Sequence, residues 1–179
     1  MRVPGPRFVA TCALAVAAIA APSASAATST RFERIAGYKP PGTPAKYNKV
    51  GILEIGSPKA KNVLVLNPGT SASAAYFAPL ARSIVSGAKG WQVWAVERRE
   101  NLLEDQSMVD RAKAHKITAQ QLSDYYVGWI ENESITKHIR LIPDGEVQFA
   151  KQWGMNTEIQ DLRRVVQRAQ KRGGKVVVG

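Results

Sequence analysis

The chain has 179 residues, of which 45% are hydrophobic, 7% aromatic and 22% charged. This mixture is ordinary for a globular protein and argues against collagen-like, coiled-coil and wholly disordered chains. The formal net charge of +11 favours contact with anionic surfaces. However, the basic residues are scattered and are not interleaved with aromatic residues, so we expect no nucleic-acid partner.

The first 26 residues have the pattern of a secretory signal peptide. Two arginines precede an apolar run at 8–21, and residues 24–26 (Ala-Ser-Ala) match a small-residue cleavage site. The apolar run is shorter than the about 20 residues that span a bilayer. We therefore expect cleavage, a secreted or extracytoplasmic protein, and no stable membrane span; a retained anchor is the alternative. The single cysteine, Cys12, lies in this segment, so the mature chain has no disulfide.

Proline and glycine are frequent in residues 27–47, which predicts an extended N-terminal lead-in. A domain is expected over residues 48–179. Alternating or continuous apolar runs within it predict buried strands. The predicted strands cover residues 49–55, 62–66 and 91–96, and a further one begins at residue 175.

Two helices are predicted between these strands. Apolar residues recur at spacings of three and four over residues 73–86, which is typical of a helix with one buried face. A second helix is expected to begin at a capping box, Thr157 to Gln160, and to end at Gly173-Gly174. The alternation of strand and helix predicts an α/β fold, with a mostly parallel sheet and helices on both of its faces.

Residues 101–155 form a connection much longer than the usual 2–6 residues of an α/β loop. We interpret them as a mostly helical insertion, with one helix from Ser107 and another opened by a capping box at Thr118 and Gln121. Three aromatic residues follow within about one helical turn: Tyr125, Tyr126 and Trp129. They are typical of core or lid packing, and the alternative is an aromatic lining for an apolar substrate.

The histidines and serines give little sign of a complete active site. His115 and His138 have no His or Cys neighbour at metal-ligand spacing, so we expect no zinc site, and no cofactor is implied. Ser71 and Ser73 lie in a loop after Gly69. Their hydroxyls are better explained as loop-forming groups than as nucleophiles.

A group of charged residues follows the third predicted strand. Its carboxylates are Glu97, Glu100, Glu104 and Asp105. Paired carboxylates can perform acid–base chemistry, and strand ends of α/β proteins often carry functional groups. Because Arg98 and Arg99 lie among them, we favour the interpretation of a solvated ion-pair cluster.

Three stretches of the chain resemble the N-terminal half of a secreted α/β-hydrolase. They are residues 63–70 (VLVLNPGT), residues 90–99 (GWQVWAVERR) and residues 161–179, which end in GGKVVVG. In that family a strand leads into the nucleophile elbow G-x-S-x-G, and the acid and histidine follow the serine. The resemblance implies that Gly179 is the first glycine of this elbow. A valine-rich strand at the end of the chain also indicates an incomplete domain, because natural sheets avoid bare apolar edges.

The resemblance also implies an early oxyanion loop. By position, its backbone N–H donor is Thr70, with Ser71 as the next candidate. The complete protein is then an exported serine hydrolase acting on small-molecule or lipid carboxylic esters, and this chain alone is expected to be inactive. The alternative function is a non-catalytic, basic binding module for anionic cell-envelope polymers. Other chemistries of the fold, such as haloalkane or peptide cleavage, stay open.

Overall fold

A computed structural model describes residues 28–179, so the predicted signal peptide at 1–26 lies outside the described residues. The strands are β1 (Thr30–Ala36), β2 (Lys49–Gly56), β3 (Asn62–Leu66), β4 (Trp91–Glu97) and β5 (Val176–Val178). The α-helices are α1 (Ala78–Gly87), α2 (Ser107–Lys113), α3 (Ala119–Tyr126) and α4 (Met155–Gln170). Short 3₁₀ helices occupy Ala45–Tyr47, Ala74–Phe77, Arg99–Leu102, Gly128–Ile130 and Asp144–Gln152.

The five strands form one mixed sheet in the order β1-β2-β4-β3-β5. β3 pairs in parallel with β4 and with β5, whereas the β1–β2 and β2–β4 pairs are antiparallel. The predicted α/β class is confirmed, but a mostly parallel sheet is not. The connection between β1 and β2 contains only the short 3₁₀ helix at Ala45–Tyr47, whereas the crossover to a parallel neighbour is usually an α-helix.

The edge strand β1 lies inside the segment expected as an extended lead-in at 27–47. Its seven residues pair antiparallel with β2, from Thr30 opposite Ile55 to Ala36 opposite Lys49. Its side chains are mostly exposed, which explains why apolar periodicity did not reveal it. Arg31 donates to the buried carboxylate of Glu54 at 2.8 Å and fastens this edge to the sheet.

Helices cover both faces of the sheet. On one face, Val165 and Ala169 of α4 are fully buried against the strands, as is Ala81 of α1 on the other. The strand residues in contact with α4 include Val50, Ile52, Val63, Val65, Trp94 and Val96, and those in contact with α1 include Ile55, Leu66 and Val93. Successive strand residues point to opposite faces, so the continuous apolar runs supply two cores at once.

Local details of the helices differ from the sequence pattern. The helix predicted over 73–86 is a 3₁₀ helix that continues as α1, which ends at Gly87. The predicted capping box at Thr157 is wrong: α4 begins at Met155, and the Thr157 hydroxyl donates to the Gln152 carbonyl at 2.7 Å. The capping box of Thr118 and Gln121 is confirmed at the start of α3.

The insertion at 101–155 contains α2, α3 and several 3₁₀ turns. Its last part packs on the β1–β2 connection, where the Tyr47 ring stacks on Phe149 at 5.1 Å between centroids. Trp153 donates from Nε1 to the Thr43 hydroxyl at 3.0 Å. Over residues 28–179, no helix combines the length and apolar character needed to cross a bilayer.

Candidate functional site

The candidate site lies at the carboxyl edge of the parallel strands. The chain leaves β3 towards α1 on one face of the sheet, and it leaves β4 towards the insertion and then α4 on the other face. Loops that diverge from neighbouring strands in this way leave a crevice at their carboxyl ends, where ligands of open α/β sheets bind. The loop at 67–73 and the end of β4 meet at this crevice.

Thr70 and Ser71, the predicted donors, are exposed in the loop at 67–73. The loop turns tightly, since Ala72 N–H donates to the Gly69 carbonyl at 3.3 Å and Ser71 has φ +62°. A left-handed φ is uncommon for serine and costs about 1 kcal/mol or more. Within residues 28–179, the Thr70 and Ser71 N–H groups have no protein acceptor.

Glu97, at the end of β4, holds this loop in place. One carboxylate oxygen accepts the Ala74 N–H at 2.5 Å, and the other accepts from the Asn101 side chain at 2.8 Å. Ala74 is the first residue of a 3₁₀ helix, and its amide would otherwise be unpaired. The carboxylate of Glu97, at the end of β4, therefore caps this helix. Sequence reasoning placed Glu97 in a charged cluster but missed this role, because the bond joins residues 23 positions apart.

Arg99 and Asp161 form a buried ion pair beside the crevice. The Arg99 Nε and Nη2 atoms donate to the two carboxylate oxygens at 2.7 Å each, and the Arg99 side chain is fully buried. Asp161 also accepts the Tyr38 N–H at 2.6 Å. A Cβ on Gly37 would stand 2.8 Å from this carboxylate, so only glycine fits there. The interpretation of a solvated cluster is therefore wrong for Arg99.

Arg98 bridges two further carboxylates between β4 and α4. It lies 3.0 Å from a carboxylate oxygen of Glu100 and 3.0 Å from one of Glu158. Burial, followed by the charge of Glu100, raises the pKa of Glu158 to about 7. The negative charge of Glu100 favours the protonated form of Glu158, so the Glu158 carboxyl titrates near neutral pH.

Within residues 28–179, His115 and His138 are not hydrogen-bonded to the loop serines Ser71 and Ser73. The His138 ring stacks on Trp129 at 4.3 Å, and its Nδ1 atom is 2.9 Å from the Ile139 carbonyl. His115 is exposed just after α2 and has φ +54°. Neither ring bonds a serine hydroxyl in the described part of the chain, and no set of three potential metal ligands occurs there.

Two cavities flank the site and the insertion. A cleft of about 540 Å³ extends from Ser73 and Glu97 to Arg34. A second, mostly apolar cavity of about 460 Å³ is lined by Leu103, Val109, Tyr126, Ile139, Leu141 and Ile142. Tyr126 thus lines an apolar cavity, whereas Tyr125 donates its hydroxyl to Asp105 at 2.6 Å. This bond lowers the pKa of Asp105 and fastens α3 to the turn before α2.

Comparison of the chain with protein-family models, with curated proteins and with solved structures found no match. The function is therefore inferred from the residues of the chain and their geometry.

Proposed function

We propose that this chain forms the N-terminal part of an exported serine hydrolase of the α/β-hydrolase type, and that the loop at 67–73 is its oxyanion loop. The substrates are carboxylic esters or lipids. One observation carries the proposal: Thr70 and Ser71 are exposed residues at the carboxyl edge, in a loop that Glu97 holds, and their backbone N–H groups have no acceptor within residues 28–179.

The geometry of the loop suits stabilisation of a developing negative charge. When a nucleophile attacks an ester carbonyl, the carbonyl oxygen becomes an oxyanion, and fixed N–H donors stabilise it without further reorganisation. The bond from Ala74 N–H to Glu97 fixes one end of the loop, and the left-handed Ser71 shapes its tip. Nothing lies within 4 Å of the Gly69 Cβ position, so the backbone there is accessible to a substrate.

The nucleophile, the acid and the histidine of the proposed reaction are not assigned to the described residues. A serine nucleophile needs a histidine base within hydrogen-bond reach. His138 is engaged with Trp129 and the Ile139 carbonyl, and His115 is exposed beyond α2. The Ser71 and Ser73 hydroxyls are therefore loop groups in this proposal, and the chain by itself does not turn over esters.

The two cavities suit a substrate ester that carries an apolar group. The cleft beside Ser73 adjoins the loop and has space for a small-molecule group. The apolar cavity beside Tyr126 lies in the insertion and suits an acyl or other apolar chain. The cavity beside Tyr126 favours a substrate with an apolar chain, whereas the cleft beside Ser73 is also lined by charged side chains, among them Arg34, Glu97 and Lys113.

The test compares two substitutions of Thr70, one that removes its backbone N–H and one that keeps it. Thr70→Pro removes the N–H donor, whereas Thr70→Ala keeps it. In the complete hydrolase, we expect T70P to lower kcat about 10²–10³-fold with little change in KM, while T70A stays near the parent. The purified 179-residue chain is expected to show no turnover of p-nitrophenyl esters.

Two outcomes would overturn the proposal. Equal activities of T70P and T70A, both folded by circular dichroism, would show that the Thr70 amide is not a donor. Ester turnover by the 179-residue chain that is lost on Ser71→Ala would place the nucleophile in the loop itself.

A further inference from the structure

The opposite edge of the sheet carries a separate feature, a cluster of basic residues. Three turns at 57–61, 87–90 and 171–175 meet the amino ends of the parallel strands β3, β4 and β5. The cations on these turns, called here the basic edge, are Lys59, Lys61, Lys89, Lys171, Arg172 and Lys175. The sequence has no Asp or Glu in residues 55–96 or in residues 162–179.

Backbone and side-chain contacts join the three turns into one surface. Lys175 N–H donates to the Asn62 side chain at 2.9 Å, and Asn62 N–H donates to the Gly90 carbonyl at 3.3 Å. A Cβ on Gly174 would stand 2.5 Å from the Lys61 carbonyl, so the turns are in direct contact. Neighbouring strands are about 5 Å apart, so the turns of three adjacent strands span about 10 Å.

The charge of the basic edge is not used within the described part of the protein. The five lysines are exposed, and none makes an ion pair within residues 28–179. Arg172 donates to the Pro58 and Ala60 carbonyls and thereby positions the first turn. Glu54, the acid at the end of β2, is buried and paired with Arg31. The positive charge of the five lysines is therefore available to an external anion.

We propose that the basic edge binds the surface of an anionic lipid bilayer. The lysines are compact, hydrated charges at turn tips, which suits a plane of headgroups. These turns carry no aromatic side chain; the next aromatic residue is Trp91, half-buried at the start of β4, so there is no platform for stacking nucleic-acid bases.

The experiment measures binding of the full chain to two kinds of vesicle by sedimentation. One kind mixes phosphatidylglycerol with phosphatidylcholine, and the other is phosphatidylcholine alone. The edge variant combines K59Q, K61Q, K89Q and K175Q. Each lysine near an anionic surface strengthens binding several-fold, so we expect the variant to bind mixed vesicles at least about tenfold more weakly. Binding of the parent is expected to fall steeply with added salt.

A control variant of equal net charge separates the edge from overall charge. It combines K39Q, K116Q, K137Q and K151Q, which are exposed and lie outside the basic edge. We expect this control to retain most of the parent's binding, with both variants matching the parent in circular dichroism. All three proteins carry the same residues 1–26, so the comparison between the two variants isolates the substituted lysines.

Three results would overturn the proposal. Equal losses in the two variants would show that net charge alone is responsible. Equal binding of the parent to neutral and mixed vesicles would assign binding to apolar contacts. Loss of binding to soluble polyphosphate or DNA in the edge variant, without a loss on vesicles, would identify a polymer as the partner instead.

Discussion

The two edges of the central sheet use charge in opposite ways. At the carboxyl edge, Arg99 and Asp161 are buried and bonded to each other, and Glu97 is bonded to a loop amide. At the amino edge, the lysines of the basic edge are exposed and have no acidic partner within residues 28–179.

Charge therefore has two different roles in this protein: it holds the backbone in place at the carboxyl edge, and it faces solvent at the amino edge. A buried, hydrogen-bonded charge fixes the backbone around it, because moving it leaves a partner unpaired in a low-dielectric interior. An exposed and uncompensated charge adds little to stability but produces a field that outside molecules experience. Charge at the carboxyl edge thus positions the backbone, and charge at the amino edge is suited to attracting a partner.

The strongest test of the comparison is removal of the buried cation. Arg99→Met leaves the Asp161 carboxylate without its partner, and we expect a loss of about 3–5 kcal/mol in the free energy of unfolding by urea. Arg98→Met, at a side chain that is 20% exposed, is the matched control and should cost about 1 kcal/mol. Similar losses in the two variants would contradict the special position of Arg99.

The second-largest expected effect is on the pH dependence of the free energy of unfolding, and it comes from Glu158 at the carboxyl edge. The pKa of Glu158 is raised from 4.5 to about 7, so the folded protein holds a proton that the unfolded chain releases. Stability from this proton is complete below pH 4.5 and is lost as the pH rises through about 7. We expect a fall of about 1–2 kcal/mol over this window, which is less than full linkage because the carboxyl is partly hydrated.

Glu158→Gln should flatten this profile, because an amide does not titrate. The control is Glu133→Gln, at an exposed carboxylate with no ion pair in the described chain. Urea unfolding across the pH range measures both variants. If the free energy of unfolding of E158Q still fell with pH as steeply as that of the parent, a group other than Glu158 would be responsible for the titration.

The smallest expected effect belongs to the amino edge. Replacing Lys59, Lys61, Lys89 and Lys175 by glutamine relieves repulsion, and we expect a gain of about 0.5 kcal/mol at low salt. The gain should disappear at high salt, since screening removes the repulsion in the parent. Thermal melts at the two salt concentrations check it, and an equal gain in the K39Q/K116Q/K137Q/K151Q control would contradict a localised cluster.

Sequence patterns identified most of the strands but not their arrangement. The runs at 62–66 and 91–96 were recognised because both faces of β3 and β4 carry apolar side chains. β1 was not recognised as a strand, because it is an edge strand with exposed side chains. The place of β4 between β2 and β3 was also beyond local patterns, since it depends on the direction of the crossover through α1 that connects β3 to β4.

The candidate site was partly accessible from the sequence. Thr70 and Ser71 were selected from the resemblance of residues 63–70 to the strand and oxyanion loop of α/β-hydrolases, and both residues lie in an exposed turn. The support of that turn by Glu97 was not foreseen. A carboxylate that caps a distant amide has the same local sequence as one that faces water.

The sequence by itself determined the α/β class, the apolar strands and the capping box at Thr118, because each depends on neighbours a few residues apart. Tertiary structure alone decided the mixed sheet, the burial of Arg99 with Asp161 and the gathering of lysines at one edge. These features join residues as far apart as Tyr38 and Asp161, which are separated by 123 positions, and only the tertiary fold brings such residues together.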